Sequence, residues 1–147
     1  DSIGRATMAA HMPKRVKWRK SHKGRIRGNA TRGNTVAYGE FGLQSLEAAR
    51  ISAKHIEAGR VAIAHFLQRE GRVHVRIFPH TPILSKPLEV RMGTGKGEVS
   101  YWAAVVKPGT VMYEVGGVSE DLARKALLRV AHKMPVKTRF VLRRHGL

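Results

Sequence analysis

The chain has 147 residues, 42% of them hydrophobic, enough for one modest core and not for two full domains. Twenty-eight Lys and Arg against ten Asp and Glu leave a formal charge of +18, a self-repelling field that a polyanionic partner would offset. Cysteine is absent, which excludes disulfide frameworks, thiolate zinc sites and cysteine nucleophiles, and no run approaches the roughly 18 apolar residues of a transmembrane helix.

Residues 1–12 (DSIGRATMAAHM) are small, mixed and aperiodic, and are set aside as an extension ahead of the fold. Residues 13–33 carry nine Lys or Arg in twenty-one positions, with no acid between Asp1 and Glu40. Such a segment cannot condense into a core alone. It reads either as a solvated arm or as an arm that orders against phosphate. The whole-chain charge favours the second, because Trp18 can stack on a base and Gly24, Gly28 and Gly33 let backbone approach closely. The expected organisation is an extension over 1–12, a basic RNA-binding arm over 13–34 and one domain over 35–147.

From Thr35 to Ile51, β-branched and aromatic residues mixed with Gly39 and Gly42 predict extended segments broken by bends. Residues 52–70 predict a helix, with Ile56, Ile63, Phe66 and Leu67 on one face, Ser52 as its cap and Gly71 as its stop. Residues 72–78 alternate as a half-buried strand that Pro79 ends. A loop through Pro82 and Pro87 leads to strand-like runs at 99–106 and 110–115, and Pro108 and Gly109 between them predict an antiparallel hairpin. A second helix is expected over 119–133. Ser119 caps it, Glu120 and Asp121 suit its positive end, and Ala123, Ala126, Leu127 and Val130 share its buried face. After Pro135, residues 137–144 alternate as a last strand, with Lys137, Arg139 and Arg143 on one side. This order predicts an α+β fold: an antiparallel or mixed sheet with two helices packed on one face, plus the basic N-terminal arm.

The residues offer little for catalysis. The loop GTGKG (93–97) has glycines that could cradle phosphate, but it lacks the spacing of a nucleotide-binding loop and a strand follows it, so contact with an RNA backbone suits it better. The eight His residues are scattered, and His55 and His65 lie too far apart along a helix to share a metal. Asp occurs only at positions 1 and 121, which leaves a Ser/His/Asp triad almost without material. No enzyme activity, metal or other cofactor is expected.

Seven stretches in order resemble the bacterial-type L-sixteen family of the large ribosomal subunit. They are PKRVKWRKSHKGR (13–25), YGEFGL (38–43), HIEAGR (55–60), VRIFP (75–79), KPLEVRMGTGKGEVSYW (86–102), residues 108–114 and MPVKTRF (134–140). The resemblance implies an α+β sandwich that binds large-subunit rRNA near the aminoacyl-tRNA site and helps to position the incoming tRNA. It implies rRNA contact through Lys14, Arg15, Lys17, Trp18, Arg19, Lys20, His22, Lys23, Arg25, Arg27 and Arg32. It also implies a tRNA-proximal loop of Arg91, Met92, Gly93, Thr94, Gly95, Lys96 and Gly97, in which Thr94 stands where the family commonly has lysine. The partners so implied are large-subunit rRNA, aminoacyl-site tRNA and neighbouring ribosomal proteins, without a membrane or a homo-oligomer. The implied location is the ribosome of the bacterial cytoplasm or, alternatively, of an organelle. A free-standing RNA-binding chaperone or regulator shares the whole charge argument and differs only in lacking that resemblance.

Overall fold

Two serines open the two helices. In the computed structural model, which describes residues 12–86, 89, 91, 93 and 95–144, Ser52 caps α1 (Ala53–Phe66) and Ser119 caps α2 (Glu120–Ala131). Each sits in extended backbone, and its hydroxyl accepts the N–H three residues on, from His55 and Leu122 respectively. Glu120 and Asp121 lie in the first turn of α2 as expected, and Ala123, Ala126, Leu127 and Val130 are all buried. In α1, Ile56, Ile63 and Leu67 are buried, whereas Phe66 is only partly covered and lies under the Arg129 guanidinium, 4.7 Å from its ring centroid.

Among the described residues, seven strands accompany the helices: β1 (Phe41–Ser45), β2 (Ala49–Ser52), β3 (Arg72–Val75), β4 (Thr81–Ser85), β5 (Glu98–Val106), β6 (Val111–Gly116) and β7 (Thr138–Leu142). All pairings are antiparallel, and the strands fall into two sheets, β3-β6-β1-β7 and β2-β5-β4. The α+β class and the paired helices are as expected. The hairpin expected across Pro108 and Gly109 is not formed, because β5 and β6 belong to different sheets. Instead Lys107 and Thr110 close a turn, and Gly109 N–H donates 2.7 Å to the Ser45 carbonyl at the end of β1. The turn residues were legible, but pairing depends on which strand offers the better buried partner, and β6 is flanked by β1 and β3.

Two ends also differ from the periodicity. Helix α1 stops at Phe66 with Leu67 as its cap, not near residue 70, and Gln68 and Arg69 take positive φ (50° and 65°). The chain must turn early so that Arg72 can pair with Gly116 at the start of β3. Strand β3 ends at Val75, although Arg76 N–H still reaches the Met112 carbonyl at 2.8 Å. The extension over 1–12, apart from Met12, lies outside the described residues.

The core forms where both helices meet the four-stranded sheet. Tyr113 in β6 is fully buried, and its hydroxyl donates 2.6 Å to the Ile56 carbonyl in α1. Opposite the phenol sits Gly59, where an added Cβ would overlap the Tyr113 hydroxyl. Glycine inside a helix costs about 1 kcal/mol relative to alanine, and here it makes room for the aromatic side chain that bonds β6 to α1. Burial pushes the Tyr113 hydroxyl above its ordinary value. A raised pKa means that the stabilisation is fully present below the unfolded value of about 10 and is lost as pH rises beyond it. Tyr113→Phe should lower stability by about 1 kcal/mol in urea titrations at neutral pH and flatten the alkaline limb of the stability profile. An alkaline limb unchanged in Tyr113→Phe would show that another group controls it.

Candidate nucleic-acid interface

The arm joins the body through a strap. Residues 33–38 run across the face of the four-stranded sheet that turns away from the helices, the face carrying Glu114 of β6. This carboxylate is completely buried, yet it accepts the backbone N–H of Ala37 at 2.6 Å and of Tyr38 at 3.0 Å. Arg76 donates to the same carboxylate at 3.1 Å and to the Thr35 carbonyl at 3.3 Å, and its guanidinium lies 5.0 Å from the centre of the Tyr38 ring. Further along, Val111 N–H donates to the Gly33 carbonyl at 2.8 Å, and Gln44 donates to Asn34 and Gly109 carbonyls. Charge-assisted bonds of this kind are stronger than neutral ones, and a buried carboxylate needs every partner it has.

Upstream of the strap, residues 13–32 form neither helix nor strand, and residues 21–24 lie beside the three-stranded sheet. Arg50, in β2, reaches 27 residues back and donates to the carbonyls of Lys23 and Gly24, both at 2.7 Å from one guanidinium nitrogen. The positive φ of Gly24 (61°) supplies the bend that turns two successive carbonyls toward the same donor. A second tie joins Ala30 N–H to the Pro108 carbonyl at 2.9 Å. At these points the arm is tied to the body through backbone groups, while its Lys and Arg side chains are exposed.

The expected rRNA-binding residues are all on this surface. Lys14, Arg15, Lys17, Trp18, Arg19, Lys20, His22, Lys23, Arg25, Arg27 and Arg32 are exposed, and Trp18 is 73% accessible beside the Lys17 ammonium, which sits 5.9 Å from its ring. In the 91–97 loop, Arg91, Gly93, Gly95 and Lys96 are exposed and Gly97 is partly covered, while Met92 and Thr94 lie outside the described residues. The loop turns at Gly93 (φ 100°) and Gly95 (φ 95°). Arm and loop, expected as separate features, approach each other: the Lys20 ammonium lies 3.4 Å from the Lys96 carbonyl.

Three residues that hold this surface were not singled out from the sequence. Arg50, Arg76 and Glu114 look like ordinary strand residues, and their partners lie 26 to 77 positions away, so no local pattern marks them. A further cationic patch, where Arg124, Arg139, Arg143 and Arg144 border a hollow of about 600 Å³, likewise needs α2, β7 and the strap brought together. Arg124 there covers the Phe140 ring at 4.2 Å. No group of His, Asp or Glu among the described residues is placed to hold a metal ion.

Fold and surface together define a basic scaffold that presents fixed cations to a polyanion. Residues 13–141 match the family model described as ribosomal protein L16p/L10e. The chain is also 58% identical over 135 residues to the large ribosomal subunit protein uL16 of Rhodopirellula baltica, an alignment spanning 92% of this chain and 98% of that protein. The chain belongs to the ribosomal protein L16p/L10e family.

Since the strap depends on one buried carboxylate, Glu114→Gln tests it directly. Neutralising that side chain removes the counter-charge of Arg76, which keeps the Thr35 carbonyl and the Tyr38 ring, and should cost about 2–3 kcal/mol. Urea unfolding reads the loss, and hydrogen exchange at the Ala37 and Tyr38 amides should accelerate more than at the core of β6.

Proposed function

We propose that this chain is a structural constituent of the large ribosomal subunit, where its arm binds rRNA and its 91–97 loop faces aminoacyl-site tRNA. The observation that carries the reading is an arm of exposed cations whose backbone is tied to the body at Arg50 and Pro108, and whose strap is fixed by Glu114, in a chain of a ribosomal family. A tied backbone lowers the ordering cost of binding, and each phosphate neutralised by Lys or Arg releases counterions. A-form RNA is read mostly through its shape and backbone, which Lys, Arg and Gly suit better than base-reading amides do. The role is one of binding and positioning, with neighbouring ribosomal proteins as further partners.

The tRNA part rests on the loop ahead of β5, where Arg91 and Lys96 are exposed. The bacterial source of the uL16 relative favours a bacterial ribosome over an organellar one. Among the described residues, no helix is long and apolar enough to cross a membrane.

Sedimentation through a high-salt sucrose gradient tests the reading as a whole. Co-migration with the large subunit is expected, and release to the top with other subunit proteins retained would favour a free-standing RNA binder. Replacing Arg19, Lys20, Lys23 and Arg25 with Ala should weaken subunit incorporation and reduce the salt dependence of rRNA binding by about one counterion per lost phosphate contact, with the circular dichroism spectrum unchanged. Replacing Arg91 and Lys96 with Ala should spare incorporation and slow aminoacyl-tRNA accommodation in a stopped-flow assay; blocked assembly with normal accommodation would reverse that division.

A further inference from the structure

Beside β4 lies a groove of about 360 Å³, formed on one side by strand residues 82–84 and on the other by arm residues 21–23, with Lys86 and Lys96 completing it. The sheet order β2-β5-β4 makes β4 an edge strand, and an edge leaves a row of backbone donors and acceptors unpaired. Among the described residues no backbone bond joins the arm to β4, so the arm borders this edge without satisfying it. The pairing of β4 with β5 slips between Ile83 and Leu84, and a bulge of this type re-aims side chains beside a site.

Groove chemistry narrows the occupant. Pro82, Ile83 and Leu84 supply an apolar wall, Lys23, Lys86 and Lys96 supply cations, and no carboxylate occurs among the described lining residues. An RNA duplex hides its base faces in its own stack and offers nothing to the apolar wall. A peptide strand could pair with the edge, but it has no need of three lysines. A nucleotide extruded from the stack has a flat apolar base, a polar base edge and a phosphate, and it matches all three features. The volume lies within the roughly 300–1,000 Å³ typical of small-ligand sites.

We infer that this groove receives a single unstacked nucleotide of RNA, its base against Ile83 and Leu84, its edge on the β4 backbone and its phosphates on Lys23, Lys86 and Lys96. The inference rests on the rRNA reading above and adds a specific site where arm and loop act together. Arg50 is a positioning residue for it, since its bonds to the Lys23 and Gly24 carbonyls hold the backbone from which Lys23 projects. The Lys20 to Lys96 contact joins the arm to the loop at the same groove.

Ultraviolet irradiation of large subunits carrying the full chain, followed by proteolysis and mass spectrometry of nucleotide-peptide adducts, tests the site. Adducts are expected on residues 22–23 and on residues 83–86. In Lys86→Glu, a change at an exposed position outside the strands, the adduct yield at 83–86 should fall about tenfold or more, the scale of one lost charge-assisted hydrogen bond. Adducts at the exposed Trp18 should persist in that variant. Trp18 adducts with none at the groove would overturn the nucleotide site while leaving the rRNA reading intact. Adducts nowhere on a chain that fails to co-sediment would overturn both. Protection of the β4 amides in the subunit without any groove adduct would assign the edge to a neighbouring protein and also overturn the inference.

Discussion

Glu114 is the constraint on which the surface depends. In a chain with +18 formal charge, a fully buried carboxylate in the middle of the four-stranded sheet is costly unless its oxygens are engaged, and here two backbone amides and one guanidinium engage them. The ion pair with Arg76 contributes little net stability by itself, because desolvation offsets most of the Coulomb attraction. What it contributes is geometry. The amides belong to Ala37 and Tyr38, so the carboxylate determines where the strap crosses the sheet and hence where the basic arm leaves the body.

From that crossing outward, the arm is held mainly through its backbone, with the Lys20 ammonium adding one side-chain bond to the Lys96 carbonyl. Arg50 grips two carbonyls, Pro108 accepts one amide, and the lysines and arginines remain exposed. This division has a physical logic. Cations fixed close together repel one another in the free protein, and that repulsion is relieved when phosphate arrives, so part of the strain of holding the surface together is returned on binding. An arm tied by carbonyls can keep its charges pointed outward without pairing them to acids, which would compete with RNA.

On the opposite face of the sheet, a small core does the remaining work. Tyr113 bonds to the Ile56 carbonyl and fills the space left by Gly59, which joins α1 to β6 through one buried polar contact. Arg129 over Phe66 and Arg124 over Phe140 then cover aromatic ring faces that the core leaves partly open. Cation-aromatic contacts of this kind let a highly charged surface lie directly over an apolar core.

The sequence by itself determined the two helices, their serine caps and their buried faces, because those features arise from residues within one or two turns of each other. It also determined β3, β5, β6, β7 and the density of cations in residues 13–33, since alternation and charge runs are local patterns, whereas Thr81–Ser85, read as a loop because of Pro82, form edge strand β4. The family likeness was carried by motifs that stand in order along the chain. Only the tertiary structure decided that β5 and β6 part into different sheets, that α1 ends at Phe66, and that arm and loop share a groove. It alone gave Arg50, Arg76 and Glu114 their roles. Hydrogen-bonding capacity belongs to each of these side chains individually, but which backbone groups satisfy it is settled by long-range packing, and partners dozens of residues away leave no periodic trace in a sequence.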